Sequence, residues 1–257
     1  MDQHVASRPK ARELLIKPPP AAEAFYSEVL QLMADSRIPF LVSGSYTGID
    51  RPTKDVDVFA KAGDALRILS FFRDHGFGVE TVDERWLNRI TRGDLFVDVI
   101  TNMPTVTTHV TDQWFVGAPQ AELFGAKVRL VPPTQFIWSK IFVQDHHRFD
   151  GADVAHMILK CHERIDWRML LSHMELYWEV LLMALLNFRF AYPSERHAVP
   201  RWLMDELLGR LHEQMAVMPP GKKVCRGRIF SPRDYAIDVE QWGFSEAVGN
   251  LQEQYGE

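Results

Sequence analysis

The stretch Phe40-Leu41-Val42-Ser43-Gly44-Ser45-Tyr46-Thr47-Gly48, with Asp55-Val56-Asp57-Val58-Phe59 beginning ten positions after Ser45, constrains the fold of this chain most. It reads as a strand ending in a glycine-serine turn, a short helical or loop segment, and a second strand with two carboxylates two residues apart. Side chains alternate faces along a strand, so Asp55 and Asp57 share one face while Val56 and Val58 point into the core. Like charges held that close repel, and the usual reason to keep both ionised is a hard divalent cation such as Mg²⁺, which prefers oxygen ligands. The pair reads as a metal site.

A third carboxylate, Asp98, lies within Leu95-Phe96-Val97-Asp98-Val99-Ile100. An aspartate in an apolar strand is costly without a partner, and a metal shared with Asp55 and Asp57 supplies one. Three acids on adjacent strands can bind two Mg²⁺ about 3.5–4 Å apart, the arrangement that clamps the attacking and leaving oxygens of a phosphoryl or nucleotidyl transfer. In that scheme Asp55 and Asp57 bridge both ions, while Asp98 binds the ion that activates the acceptor hydroxyl and accepts its proton. Gly44, without a side chain, lets backbone N–H groups approach a triphosphate, and Ser45 adds a hydroxyl donor.

At 257 residues the chain is long enough for two domains. Residues 1–20 are polar and proline-rich and read as an arm. Helical spacing of apolar residues follows over 21–36, then strands over 40–43 and 56–60. A second helix over 62–75 is closed by Gly76 and Gly78. Strands over 79–82, 86–91 and 95–101 come next, the last two joined as a hairpin by Arg92-Gly93-Asp94. After Pro132-Pro133 the pattern turns helical, over 134–142, 150–162, 167–189 and 201–215. The expected fold class is α+β: an N-terminal domain over 21–131 and a helical domain over 132–257.

The net charge of −5 disfavours a general polyanion-binding role. Cys161 and Cys225 are too far apart for a CxxC pair. No signal peptide is evident near the N-terminus, and the longest apolar run, 180–186, is far short of the ~20 residues that span a bilayer. A cytoplasmic protein without a membrane partner is expected.

Gly44-Ser45, Asp55-x-Asp57 and Asp98 on a later strand together resemble the DNA polymerase beta-like nucleotidyltransferase superfamily, over about residues 22–130. The resemblance implies a small mixed sheet backed by helices, two Mg²⁺ with Mn²⁺ as the alternative ion, a nucleoside triphosphate donor and pyrophosphate release. The C-terminal part looks like the helical half of the toxin-type and abortive-infection nucleotidyltransferases. There a lysine on the first helix and an Asp-rich second helix recur, here Lys140 and Asp150 with Asp153, which makes Lys140 a triphosphate contact. Tyr46 is a departure, standing where many relatives carry small residues.

The expected function is Mg²⁺-dependent transfer of a nucleoside monophosphate from an NTP to an acceptor hydroxyl on tRNA or other RNA, on a protein, or on a small molecule. The alternative is a non-catalytic nucleotide-binding regulator or antitoxin-like protein with a protein partner. A third option, a metal-dependent phosphohydrolase, rests on His146, His147, Asp150, Asp153 and His156; the plainer reading is a polar helix start with Asp150 as cap. Arg51 and Lys54 suit phosphate neutralisation and loop solubility equally. The cluster of Lys222, Lys223, Arg226 and Arg228 suits a polynucleotide acceptor or a solvated loop. Trp178, Trp202 and Trp242 are expected to pack the helical half.

Overall fold

The structure, a computed structural model, describes residues 18–44, 56–104 and 108–247. Helix α1 (Pro20–Asp35) begins on a proline, tolerated in a first turn because its N–H has no intrahelical partner there. It buries Phe25, Tyr26, Val29, Leu30 and Met33, the amphipathic stripe expected from sequence. Strands β1 (Leu41–Val42) and β2 (Asp57–Phe59) follow, then α2 (Ala65–Asp74), entered through a 3-10 turn at Ala62–Asp64. Of the two glycines expected to stop that helix, Gly76 does so in the left-handed region at φ +81°. Gly78 instead opens β3 (Gly78–Asp83), where any side chain would run into the Thr91 hydroxyl of β4 (Leu87–Arg92). Gly93, at φ +59°, turns β4 into β5 (Leu95–Ile100), giving the expected hairpin.

The five strands form one mixed sheet in the order β1-β2-β5-β4-β3, antiparallel throughout except for the β2–β5 pair. One face carries Val42, Val58, Ile90, Val97 and Val99 into a core with Phe25, Leu30 and Met33 of α1 and Ile68 and Phe72 of α2. The other face carries Leu41, Phe59, Leu87 and Ile100 into a second apolar cluster built mainly by the later helices. A hairpin that sequence reading missed, β6 (Gln120–Leu123) with β7 (Ala126–Arg129), turns through Phe124 at φ +49° and Gly125 at φ +77°. The chain leaving it runs along β1, where the Val131 N–H donates to the Val42 carbonyl at 2.9 Å.

The helical half comprises α3 (Pro133–Lys140), α4 (Gly151–Cys161), α5 (Trp167–His173), α6 (Trp178–Ala191) and α7 (Arg201–Met215). The single helix expected over 167–189 is two helices, separated by a 3-10 turn at Glu175–Tyr177 and bent by 75°. The bend brings Leu170, Met174 and Tyr177 into one cluster with Leu181 and Leu185, a tertiary demand that periodicity alone does not register. Asp166 caps α5, accepting from the N–H groups of Arg168 and Met169 at 3.1 and 2.9 Å. After α7, β8 (Val224–Cys225) pairs in parallel with β9 (Ser245–Glu246), with α8 (Ala236–Glu240) between them in sequence.

The fold class is α+β, a mixed sheet backed by helices and followed by a helical region, as expected. No single described helix is long and apolar enough to cross a membrane. Both cysteines are free and buried. Trp178 packs against the second cluster, whereas Trp202 and Trp242 are exposed, so their expected packing role does not hold; Trp202 instead lies beneath the Arg168 guanidinium at 4.9 Å.

Candidate active site

The parallel register sets Asp57 opposite Asp98, Val58 opposite Val99 and Phe59 opposite Ile100. Neighbouring strands run about 4.8 Å apart, so the two carboxylates leave the same face side by side. The row continues in both directions: Arg89 on β4 stands opposite Asp98, and Glu80 on β3 opposite Arg89. On the other flank Ser43, next after the Val42–Val58 pair, donates its N–H to the Asp57 carbonyl at 2.9 Å. Ser43, Asp57, Asp98, Arg89 and Glu80 therefore form one row across the sheet, on the face turned toward the helical half. Val56 and Val58 are fully buried on the opposite side, as alternation requires.

Within this row Asp98 has a partner that sequence reading missed. The Arg89 Nε donates to Asp98 Oδ1 at 2.8 Å, both side chains being partly buried. The guanidinium also lies over the Phe96 ring, 4.2 Å from its centroid, which fixes its plane. Arg89 offsets part of the repulsion between Asp98 and Asp57.

At the end of β1 the chain turns at Gly44, φ +85°, and space is open where a side chain would begin. This is the backbone geometry expected for close approach of a phosphate. Ser43 beside it is fully buried, and its Oγ has no hydrogen-bond partner among the described residues. The expected Ser45, Tyr46 and Asp55, with Arg51 and Lys54, lie outside the described residues.

A divalent cation, implied by the resemblance, fits what is described: two hard carboxylate donors on neighbouring strands and a buried hydroxyl with no partner in the same row. Asp55, the third acid of the expected set, lies outside the described residues; among those residues no group of three metal-ligating side chains gathers.

Lys140 ends α3 and is buried rather than displayed at the surface. Its ammonium donates to Asp150 Oδ2 at 2.9 Å and lies 3.7 Å from Asp153 Oδ2. Asp150 occupies the N-cap position of α4 but caps nothing with its side chain, which is the correction to its expected role. Its oxygens accept from Lys140 and, at 3.1 Å each, from Nε and a terminal nitrogen of Arg148. Burial pushes the Asp150 pKa up, but the Lys140 charge and the Arg148 hydrogen bonds outweigh it and hold it below the usual 3.8. For Arg148 burial opposes the charged form, while Asp150 and, more weakly, Asp57 favour it. Asp57 is thus within electrostatic reach of the Arg148 guanidinium.

His146 and His147 meet edge to face, 5.1 Å between ring centroids, but among the described residues they form no metal-ligating group with His156. His146 and His147 sit on the loop before α4, where the His146 N–H donates to Asp234 at 3.0 Å, and the His156 ring faces Tyr192. The arginines of the basic cluster are engaged with neighbouring groups at the surface. Arg226 donates to the Leu176 carbonyl at 2.5 Å and pairs with Glu179 at 3.4 Å. Arg228 pairs with Glu246 at 2.8 Å, and Lys223 reaches the Trp242 carbonyl at 3.5 Å. Lys222 and Lys223 stay exposed, as a solvated loop expects, while Arg226 and Arg228 are partly buried and paired within the chain.

No family model matches the chain, and no curated protein matches it. Among solved structures it is similar to a lincosamide antibiotic adenylyltransferase, LnuA, bound to lincomycin, with 13% identity, 55% of this chain and 98% of that one covered, and a TM-score of 0.37. It is similar too to the antibiotic-resistance factor ANT(2'')-Ia in solution, with 16% identity, 69% and 96% covered, and a TM-score of 0.37. The same enzyme in complex with adenylyl-2"-tobramycin gives 15% identity, 67% and 99% covered, and a TM-score of 0.39.

Proposed function

We propose that this protein is a nucleotidyltransferase that moves a nucleoside monophosphate from an NTP to the hydroxyl of a small molecule, with pyrophosphate as the leaving group. The observation that carries the reading is the register match of Asp57 with Asp98 on adjacent parallel strands, one residue row from the Gly44 turn. Arg89 and Arg148 supply part of the countercharge these two carboxylates need, and a nucleotide's metal is the cation whose chemistry uses both.

Asp57 and Asp98, with Asp55, would hold Mg²⁺ or Mn²⁺. Such an ion, when bound, neutralises charge developing on the transferred phosphoryl group and lowers the pKa of a bound hydroxyl. Backbone N–H groups around Gly44, with Ser45, orient the β and γ phosphates, and Asp98 accepts the acceptor's proton. Lys140 reaches a phosphate only by leaving Asp150 and Asp153, so its place in the buried network makes it first a strut between α3 and α4.

A small acceptor is favoured over RNA by charge. The net charge is −5, and both arginines of the one dense basic run are paired with glutamates of the same chain. Incubation with each α-labelled NTP and Mg²⁺ tests this, with hydroxylated antibiotics, total tRNA and buffer as acceptors. Label should pass to a small molecule in the wild type and to nothing in Asp57→Asn. Label on tRNA would overturn the acceptor assignment. NTP binding without pyrophosphate release would support the regulator reading instead.

A further inference from the structure

Asp98 could be held in place by the sheet alone, yet a guanidinium is spent on it. The geometry points to Arg89 as the positioning residue of the site: it fixes the Asp98 carboxylate through Oδ1 and leaves the other oxygen free to ligate a divalent cation together with Asp57. This inference rests on the nucleotidyltransferase reading.

Three observations carry it. In the row Asp57, Asp98, Arg89, the arginine belongs to the strand on the far side of Asp98 from Asp57, a flanking position from which it supports the carboxylate. The Arg89 Nε to Asp98 Oδ1 bond is short, 2.8 Å, and Oδ2 accepts no hydrogen bond from a described residue. Phe96, two residues before Asp98 on the same face, stacks under the guanidinium and limits its rotation. A carboxylate that ligates a metal is commonly held by an outer hydrogen bond of this kind, and removing such a bond costs about 10–100-fold in metal affinity or activity.

The test is Mn²⁺ binding to the full-length protein, measured by calorimetry or electron paramagnetic resonance without nucleotide, alongside melting temperature. Arg89→Gln should weaken Mn²⁺ affinity by about 10–100-fold while Asp98→Asn abolishes tight binding. Arg89→Lys, which restores the charge but not the planar fork, should recover only part of it. In turnover, Arg89→Gln should lower kcat more than it raises the KM for NTP, because a misplaced Asp98 acts on the reacting oxygen rather than on donor binding. Arg89→Gln affinity within twofold of wild type, or tighter, would overturn the inference, as would a loss in melting temperature with no change in affinity. Wild-type protein that binds no Mn²⁺, or that binds it equally with Asp98→Asn, would sink the metal-site reading itself.

Discussion

At the residue scale the candidate site is a problem of charge placed in a sheet. Asp98 was recognisable as an acid needing a partner, because Val97 and Val99 flank it and both are fully buried. Its nearer partner was also within reach of counting: a hairpin turning at Gly93 pairs 92 with 95, and three steps on pairs Arg89 with Asp98. Ser43 was not recognisable, since nothing in its sequence neighbourhood marks a hydroxyl that is buried without a partner. The buried group of Lys140 with Asp150 and Asp153 was half legible: the three residues could be picked out, but which met which depended on how α3 packs on α4. Replacing Asp150 by Asn should cost about 3 kcal/mol, because Lys140 keeps its charge in a buried place with only Asp153 nearby. The folded-state pKa of Asp150 lies below 3.8, so its contribution to stability is fully present above that value and is lost as pH falls through the lower folded value. Denaturant titrations of wild type and Asp150→Asn should therefore differ at pH 7 and converge well below pH 3.8; a gap that widens in acid would contradict the pairing.

At the element scale, strands and amphipathic helices followed their periodicities, and failures occurred where tertiary packing decided. The α5–α6 bend lies in an apolar stretch that repeats well enough to read as one helix, and only the shared core shows why it breaks. The β6–β7 hairpin was missed because its turn uses Phe124 in the left-handed region, a residue with no turn signature. Gly78 was read as a helix stop, but its function is close approach of β3 to β4. Gly78→Val should destabilise the protein by about 1–3 kcal/mol through overpacking against Thr91, read as a lowered urea midpoint. A Gly78→Val, Thr91→Ala double variant should recover part of the loss if that contact is the cause.

At the scale of the whole molecule, the sheet is a shared wall. One face is closed by α1 and α2; the other gives Leu41, Phe59, Leu87 and Ile100 to the same apolar cluster as α3 to α7, and carries the acid row beside them. The change from strands to helices after residue 132 was legible in sequence, but the burial that joins the two halves was not, because it links residues far apart along the chain. Phe59 stacking on Trp114 at 5.5 Å, two residues from Asp57, joins the acid row to that cluster. Calorimetry should accordingly show one unfolding transition rather than separate ones for 21–131 and 132–257. The central claim is that Asp57 and Asp98 act as one site. The most direct test is the rate of Mg²⁺-dependent pyrophosphate release by wild type, Asp57→Asn, Asp98→Asn and the double variant, all with unchanged melting temperatures. Residues that act as a unit are non-additive, so each single variant should be as inactive as the double; substantial activity in either single variant, or losses that simply multiply in the double, would contradict it.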